Sequence, residues 1–409
     1  MLKSIVYKTA FYALSFLISI LSARLVNIED LGLFTVLFSI SSISIIFLSY
    51  GVETFVLKEF VEKNRSGEIT QLVNDRFFSS IILSLFPAAV FIFLGVGIFQ
   101  IFVLFSIIIM AMHRNLIANF LFSSLRIQQA LMVQEGWQAL IRLISLLFLW
   151  ALSNTYLSGF DFTVSALIFS WFFGVLSSFL IANWIIRHKF RVSSAPNEIK
   201  KRCLSLYSKS KNYWFSQAIW TSAPFIDIFI VTTLFGVKDV AGYDISVKVA
   251  AATVFFSSIL HSVVAPKISI LWKRGSLSEI KKLLIHVSCF FGGAATIIFI
   301  VVCLMAESIM LIWGGDYVKY SDVLICVTLA QAIKLCFGAL SPFLQMTDHS
   351  DGDKNIALLS LFVRIPTSII LGLNFGLIGV ASAYIISTIL SNVLLLKSTV
   401  SVFKQSKTE

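Results

Sequence analysis

The sequence predicts an all-α integral membrane protein of about 12 transmembrane helices in two pseudo-symmetric six-helix bundles. Three observations lead there. Of 409 residues, 58% are hydrophobic and 13% charged, against about 45–50% and about 25% in ordinary soluble domains. The mean hydropathy is +0.91, so lipid rather than water must solvate most of the surface. Finally, Phe77 to Met112 and Ile365 to Leu396 contain no Asp, Glu, Lys or Arg, and each run covers most of two spans of about 20 residues.

Hydropathy divides the chain into spans near 4–24, 31–57, 77–97, 101–125, 131–151, 162–186, 213–236, 241–266, 283–305, 321–345, 355–373 and 376–396. The first carries Lys8 and Arg24 and is followed at once by further spans, so it reads as a retained helix and not a signal peptide. The second follows the polar turn at Glu29-Asp30, and the third and fourth share the first charge-free run. The fifth carries Glu135, Gln138, Arg142 and Ser145 at helical spacing, and the sixth ends in the basic stretch 187–212. The seventh holds Asp227 on a face with Gln217, Trp220 and Pro224, and the eighth holds Asp244 and Lys248 one turn apart. The ninth and tenth flank the loop 306–320. The tenth places Thr328, Gln331, Lys334, Gly338 and Ser341 on one stripe, and the last two spans share the second charge-free run, with Ser360, Arg364 and Thr367 in the eleventh.

Three domains follow: a bundle over 1–186, a basic linker over 187–212, and a second bundle over 213–409 with a short tail. The halves repeat. Glu29-Asp30-Leu31-Gly32 matches Asp239-Val240-Ala241-Gly242 at an offset of 210, Ser66 to Leu72 matches Leu277 to Leu283, and Arg142 in the fifth span matches Arg364 in the eleventh. Six spans per half give both halves the same orientation. Parallel repeats of this kind are a transporter architecture, with the substrate path expected between the halves. Lys and Arg concentrate in the loops on the side of the termini, with Lys238 and Lys319 alone on the other side. Both termini are therefore expected to be cytoplasmic. The net charge of +11 is assigned to those loops and not to nucleic-acid binding.

Charges inside spans are costly and mark interiors or watery cavities. Lys8, Arg24, Arg114, Arg142, Lys248, Lys334 and Arg364 stand against Glu53, Asp227, Asp244, Glu135 and Asp322, a basic balance that suits an anion. The site expected for a phosphate is Arg142 and Arg364, with Lys334 and Lys248, because guanidinium groups bind phosphate through two parallel bonds. Lys8 and Arg24 are further cavity candidates, Lys8 sharing a face with Tyr12, Ser15, Ser19 and Ser22. Asp227 and Glu53 are candidates for coupling to a proton or Na⁺, with pairing to a neighbouring cation the other reading of Asp227. Pro87, Pro224, Pro266, Pro342 and Pro366 are expected to bend their spans.

Enzyme chemistry finds no support. The sequence has no P-loop, no G-x-S-x-G and no H-E-x-x-H. Asp161, Glu307 and Asp316 in the outer loops read as solvated, and those loops are too short for a catalytic domain. The five cysteines and five histidines form no ligand pattern, so no metal or cofactor is expected.

The stretch Leu371-Gly372-Leu373-Asn374-Phe375-Gly376-Leu377-Ile378-Gly379-Val380-Ala381-Ser382-Ala383-Tyr384 resembles the turn between the last two helices of Wzx-type polysaccharide flippases, in the multidrug/oligosaccharidyl-lipid/polysaccharide exporter superfamily. The first hairpin, Ala23-Arg24-Leu25 through Glu29-Asp30-Leu31-Gly32 to Tyr50-Gly51-Val52-Glu53, is similar to that family's opening. The resemblance implies alternating access by two bundles. It also implies transfer of an undecaprenyl-pyrophosphate-linked oligosaccharide, an O-antigen or related repeat unit, across the inner membrane of a Gram-negative bacterium, in company with membrane lipid and the pathway's polymerase and chain-length partners. Thr347-Asp348-His349-Ser350-Asp351-Gly352-Asp353-Lys354 departs from the short G-K turn of relatives. Two alternatives remain at this stage. A cation-coupled multidrug exporter of the same superfamily would want an acidic cavity, and a membrane polymerase or glycosyltransferase would want a large catalytic loop.

Overall fold

The computed structural model describes residues 2–53, 80–124, 126–155, 163–189, 224–251, 264–347 and 349–405, with 56, 218 and 222 as isolated positions. The described part of the chain is helical, and it divides into two compact units, Met1–Ser222 and Ala223–Glu409. The basic linker beyond residue 189, the repeat stretch at Ser66 to Leu72, and Asp161, Gln217 and Trp220 lie outside the described residues.

In the N-terminal unit α1 spans Leu2–Leu25 and α2 Ile28–Ser49. The Asn27 side chain starts α2 by accepting from the Asp30 amide at 2.7 Å, and Glu29 and Asp30 in the first turn complement the positive end of the helix. Two apolar helices follow, α3 (Ser80–Phe93) and α4 (Ile98–Ser123). Helix α4 is the enclosed centre of the unit, with Leu104, Ile107, Ile108, Leu116, Ile117 and Leu121 all buried. Helix α5 runs from Ile127 to Thr155 and contains a π-helical turn at Met132–Gly136. Such a turn inserts an extra residue and re-aims the side chains after it. Helix α6 (Val164–Lys189) closes the unit.

The C-terminal unit repeats the plan. Helix α7 (Pro224–Phe235) is followed by α8 (Val237–Ala250), with Asp239 in the first turn where α2 has Glu29 and Asp30. Next come the short α9 (Ala265–Lys273) and the long α10 (Leu277–Leu311). After a 3₁₀ turn at Gly315–Tyr320, α11 (Ser321–Cys336) ends in a break, and α12 (Leu340–Met346) continues it at 43°. The stripe expected from Thr328 to Ser341 is therefore interrupted: Thr328 is buried and Lys334 exposed, while Gly338 and Ser341 lie past the helix end. Pro266 falls in the first turn of α9, where no backbone donor is lost, Pro87 lies within α3, Pro342 stands just past the 43° break between α11 and α12, and Pro366 lies inside a long helix.

Residues Ser350–Gln405 form a continuous helical stretch of 56 residues. At about 1.5 Å per residue a straight helix of that length would far exceed the ~30 Å hydrocarbon core. Gly376, at φ 66° and ψ −149°, turns it back on itself as α13 (350–375) and α14 (377–405). Ser360 donates to the Ser387 carbonyl at 3.1 Å, and an added Cβ on Gly379 would lie 2.0 Å from the Leu371 oxygen. The small residues of Leu371 to Tyr384 are thus what lets two spans meet at backbone contact.

Among the described residues seven helices are long and apolar enough to cross a membrane, or eight with the bent α11–α12 pair. The Ser350–Gln405 stretch counts once there and supplies two spans. Outward-facing Phe93, Ile98, Leu304 and Phe362 are largely exposed, as befits a surface solvated by hydrocarbon. The chain is a multi-pass membrane protein.

Candidate functional site

Among the described residues each unit holds a polar cluster around a buried charged side chain. In the C-terminal unit it centres on Asp227 of α7, 1% exposed. Arg364 of α13 donates to it twice, from Nε to Oδ1 at 3.0 Å and from Nη2 to Oδ2. Tyr243 of α8 adds a bond from its hydroxyl to Oδ2 at 2.7 Å. The ring of Tyr384 in α14 covers the guanidinium, 3.9 Å from Cζ to the ring centroid. Four helices thus converge on one ion pair, with both carboxylate oxygens engaged.

Arg364 and Asp227 had separate roles in the sequence reading, phosphate binding and ion coupling. The structure makes them each other's partner. They are 137 residues apart, and helical spacing within either span carries no information about the pairing. Tyr243 and Tyr384 were missed for a related reason: a lone tyrosine in an apolar span reads as packing.

In the N-terminal unit the buried group is Arg114 of α4. It donates through Nη1 to Gln138 Oε1 of α5, and through Nε and Nη2 to Asn115 Oδ1 at 3.3 and 2.9 Å. Its hydrogen bonds thus go to neutral amides, while the charges of Glu53 and Glu135 act on it from farther away and that of Lys8 acts on Glu135. Beside it, His113 Nε2 donates to Asn183 Oδ1 at 3.0 Å. Arg142 lies over the Phe34 ring at 5.2 Å.

Local packing fixes this geometry. A Cβ on Gly136, the last residue of the π turn, would meet the Phe11 ring of α1 at 2.6 Å. One on Gly174 of α6 would meet the Gln138 carbonyl at 2.7 Å and Arg142 Cβ at 3.3 Å. Helix α5 is clamped between α1 and α6 at the residues that carry Gln138 and Arg142. The Glu135, Gln138 and Arg142 stripe pointed to this region, but Arg114 as its buried centre was not read from sequence.

The other expected residues are dispersed. Lys248 is exposed on α8 and pairs with Asp244 at 2.5 Å. Lys334 is exposed near the end of α11, Lys8 is half-buried, and Arg24 is exposed in the last turn of α1. Glu53 accepts from the Ser49 hydroxyl at 2.7 Å. The loop that departs from the G-K turn is organised by Gln345, which donates to Asp353 at 2.9 Å, and by the Trp272 ring set edge-on to His349.

The fold has solved relatives. A multidrug resistance MATE family transporter of the MOP superfamily, in an inward-facing conformation, superposes with a TM-score of 0.68 at 13% identity, covering 96% of this chain and 95% of that one. The lipid II flippase MurJ, in an inward closed conformation, gives 0.67 at 15%, covering 97% and 87%. A mutant Vibrio cholerae MATE transporter gives 0.63 at 13%, covering 98% and 97%. At such identities the likeness speaks for the fold alone, and that fold is consistent with the 12 expected helices. No curated protein matches the sequence. The sequence profile described as polysaccharide biosynthesis protein matches residues 2–272, and the chain belongs to that family.

Proposed function

We propose that the protein is a Wzx-type flippase that carries undecaprenyl-pyrophosphate-linked oligosaccharide, the repeat unit of O-antigen or a related surface polysaccharide, across the bacterial inner membrane by alternating access. The observation that carries the proposal is the charge left inside the spans of a polysaccharide-family chain. Arg364 and Lys248 are balanced by Asp227 and Asp244. Lys8, Arg24, Arg114, Arg142 and Lys334 then stand against Glu53, Glu135 and Asp322, and this surplus fits a cargo with an anionic head. Arg142 is the proposed principal contact for the pyrophosphate, with Lys8 and Arg24 of the same unit assisting. Arg364, its fork already on a carboxylate, is left out. Translocation makes and breaks no covalent bond, so the protein is proposed to be no enzyme and to need no cofactor. Both termini are placed in the cytoplasm by the Lys/Arg distribution, where the cargo is loaded before delivery to polymerase and chain-length partners. If a proton or Na⁺ gradient drives the cycle, Glu53 is the proposed coupling carboxylate.

The test is complementation of a flippase-deficient strain at matched expression. Arg142→Lys keeps the charge and loses the planar fork, whereas Arg142→Gln loses both. Surface polysaccharide should fall from wild type to Lys to Gln, and a folded Gln variant active at the wild-type rate would sink the assignment. A second reading, a cation-coupled multidrug exporter, is supported by the likeness of fold to MATE transporters. It predicts protection against cationic drugs and no restoration of polysaccharide.

A further inference from the structure

A carboxylate buried among membrane helices needs a compensating charge, because removing one partner of a buried pair strands the other. In the C-terminal unit that charge is supplied by the chain. Arg364 takes both oxygens of Asp227, Tyr243 takes a further lone pair of Oδ2, and Tyr384 covers the open face of the guanidinium. With both phenols neutral the cluster sums to zero. The pair belongs to one half only: 210 residues before Asp227 stands Leu17, although the N-terminal half has its own fifth-span arginine, Arg142. The arginine thus recurs in both halves and the carboxylate stands in one.

We propose that Arg364 is a tethered counter-cation. It occupies the position against Asp227 that a free monovalent cation would otherwise fill, ties α7, α8, α13 and α14 into one unit without a bound ion, and takes Asp227 out of any ion-coupling step. Arg364 thereby masks a latent Na⁺ site made of the Asp227 carboxylate and the Tyr243 hydroxyl oxygen, two hard oxygen ligands of the kind alkali cations use.

The experiment is thermal unfolding of the purified full chain in detergent, comparing NaCl with choline chloride at equal ionic strength. In wild type any difference between the two salts should survive Asp227→Asn, since Asp227 holds no free cation there. Arg364→Gln vacates the carboxylate and should be less stable in choline, regaining several degrees in Na⁺. Arg364→Lys keeps a tethered charge and should be insensitive to Na⁺. The neutral double variant Asp227→Asn/Arg364→Gln should also fold and be insensitive. A Na⁺-dependent rise in wild type that Asp227→Asn removes would overturn the proposal, as would a folded Arg364→Gln with no Na⁺ response. If Arg364→Gln folds only in Na⁺, the proposal stands. If it folds in neither salt while the neutral double variant folds, Na⁺ does not replace the guanidinium and the proposal falls. The readout involves no substrate, so its outcome is separate from that of the proposed cargo.

Discussion

Gly379 is the position at which a single methyl group should do most damage for its size. A Cβ there would lie 2.0 Å from the Leu371 oxygen and 2.4 Å from its carbonyl carbon, far inside the ~3.5–4.0 Å of a normal contact. The obstacle is backbone, so no side-chain rotation relieves it. Helix α14 would have to withdraw from α13 by more than an ångström. That movement stretches the Ser360–Ser387 bond at 3.1 Å and lifts Tyr384 from Arg364, now at 3.9 Å. Overpacking costs about 1–3 kcal/mol, and the weakened contacts place Gly379→Ala at the top of that range. At roughly 2–4 °C per kcal/mol for a unit of this size, the unfolding midpoint should fall by about 6–12 °C. Two neighbours are internal controls. Gly376→Ala meets nothing within 4 Å but puts a side chain at φ +66°, a strain of about 1–3 kcal/mol. At Gly372 the nearest atoms are the Leu234 Cδ1 and Val380 Cγ2 methyls at 3.1 Å, which need to give by only a few tenths of an ångström, and alanine's helix preference of about 1 kcal/mol offsets the crowding. Gly372→Ala should therefore be close to neutral. Tryptophan fluorescence of purified protein during heating gives the three midpoints. A Gly379→Ala midpoint within about a degree of wild type, or a Gly372→Ala variant worse than Gly379→Ala, would refute the backbone-contact argument.

Arg114→Met should cost about 1–3 kcal/mol, because it leaves the half-buried amide oxygens of Gln138 and Asn115 short of a donor. Combined with Gln138→Leu it should cost less than the sum of the two, with a coupling of about 1–2 kcal/mol in a double-mutant cycle of unfolding midpoints. Tyr243→Phe removes one hydrogen bond to a charged group and should lower stability by about 1.5 kcal/mol without changing the response to Na⁺. In a cysteine-free background, a membrane-impermeant thiol reagent should label a cysteine at Lys319 in intact spheroplasts and one at Lys267 or Lys281 only after lysis. The reverse pattern would invert the topology and with it the side from which cargo is loaded.

Much of the site was legible one helix at a time. The Glu135, Gln138 and Arg142 spacing drew attention to α5, and Asp244 and Lys248 do form the one-turn pair their spacing implies. Arg142 and Arg364 fell in corresponding helices because a duplicated pattern can be counted along a chain. What spacing does not reveal is the partner on another helix. Arg114 stood among seven intramembrane cations, and only its burial against Gln138 and Asn115 sets it apart. The π turn at Met132–Gly136 was equally invisible, since its extra residue looks like any other apolar position.

By itself the sequence determined the solvent, the element type and the repeat. A chain with 58% hydrophobic residues and long charge-free runs must satisfy its backbone internally, and in lipid that means helices of membrane-spanning length. Tertiary structure alone decided which charges cancel. Asp227 could have faced a free ion, and Arg364 a phosphate, until the turn at Gly376 and the close approach at Gly379 set α13 and α14 side by side and brought Arg364, Tyr384, Tyr243 and Asp227 together. The physical reason is one of range. Hydropathy and helical period are properties of neighbouring residues, whereas compensation of a buried charge depends on whichever group packing brings within about 3 Å, however distant along the chain.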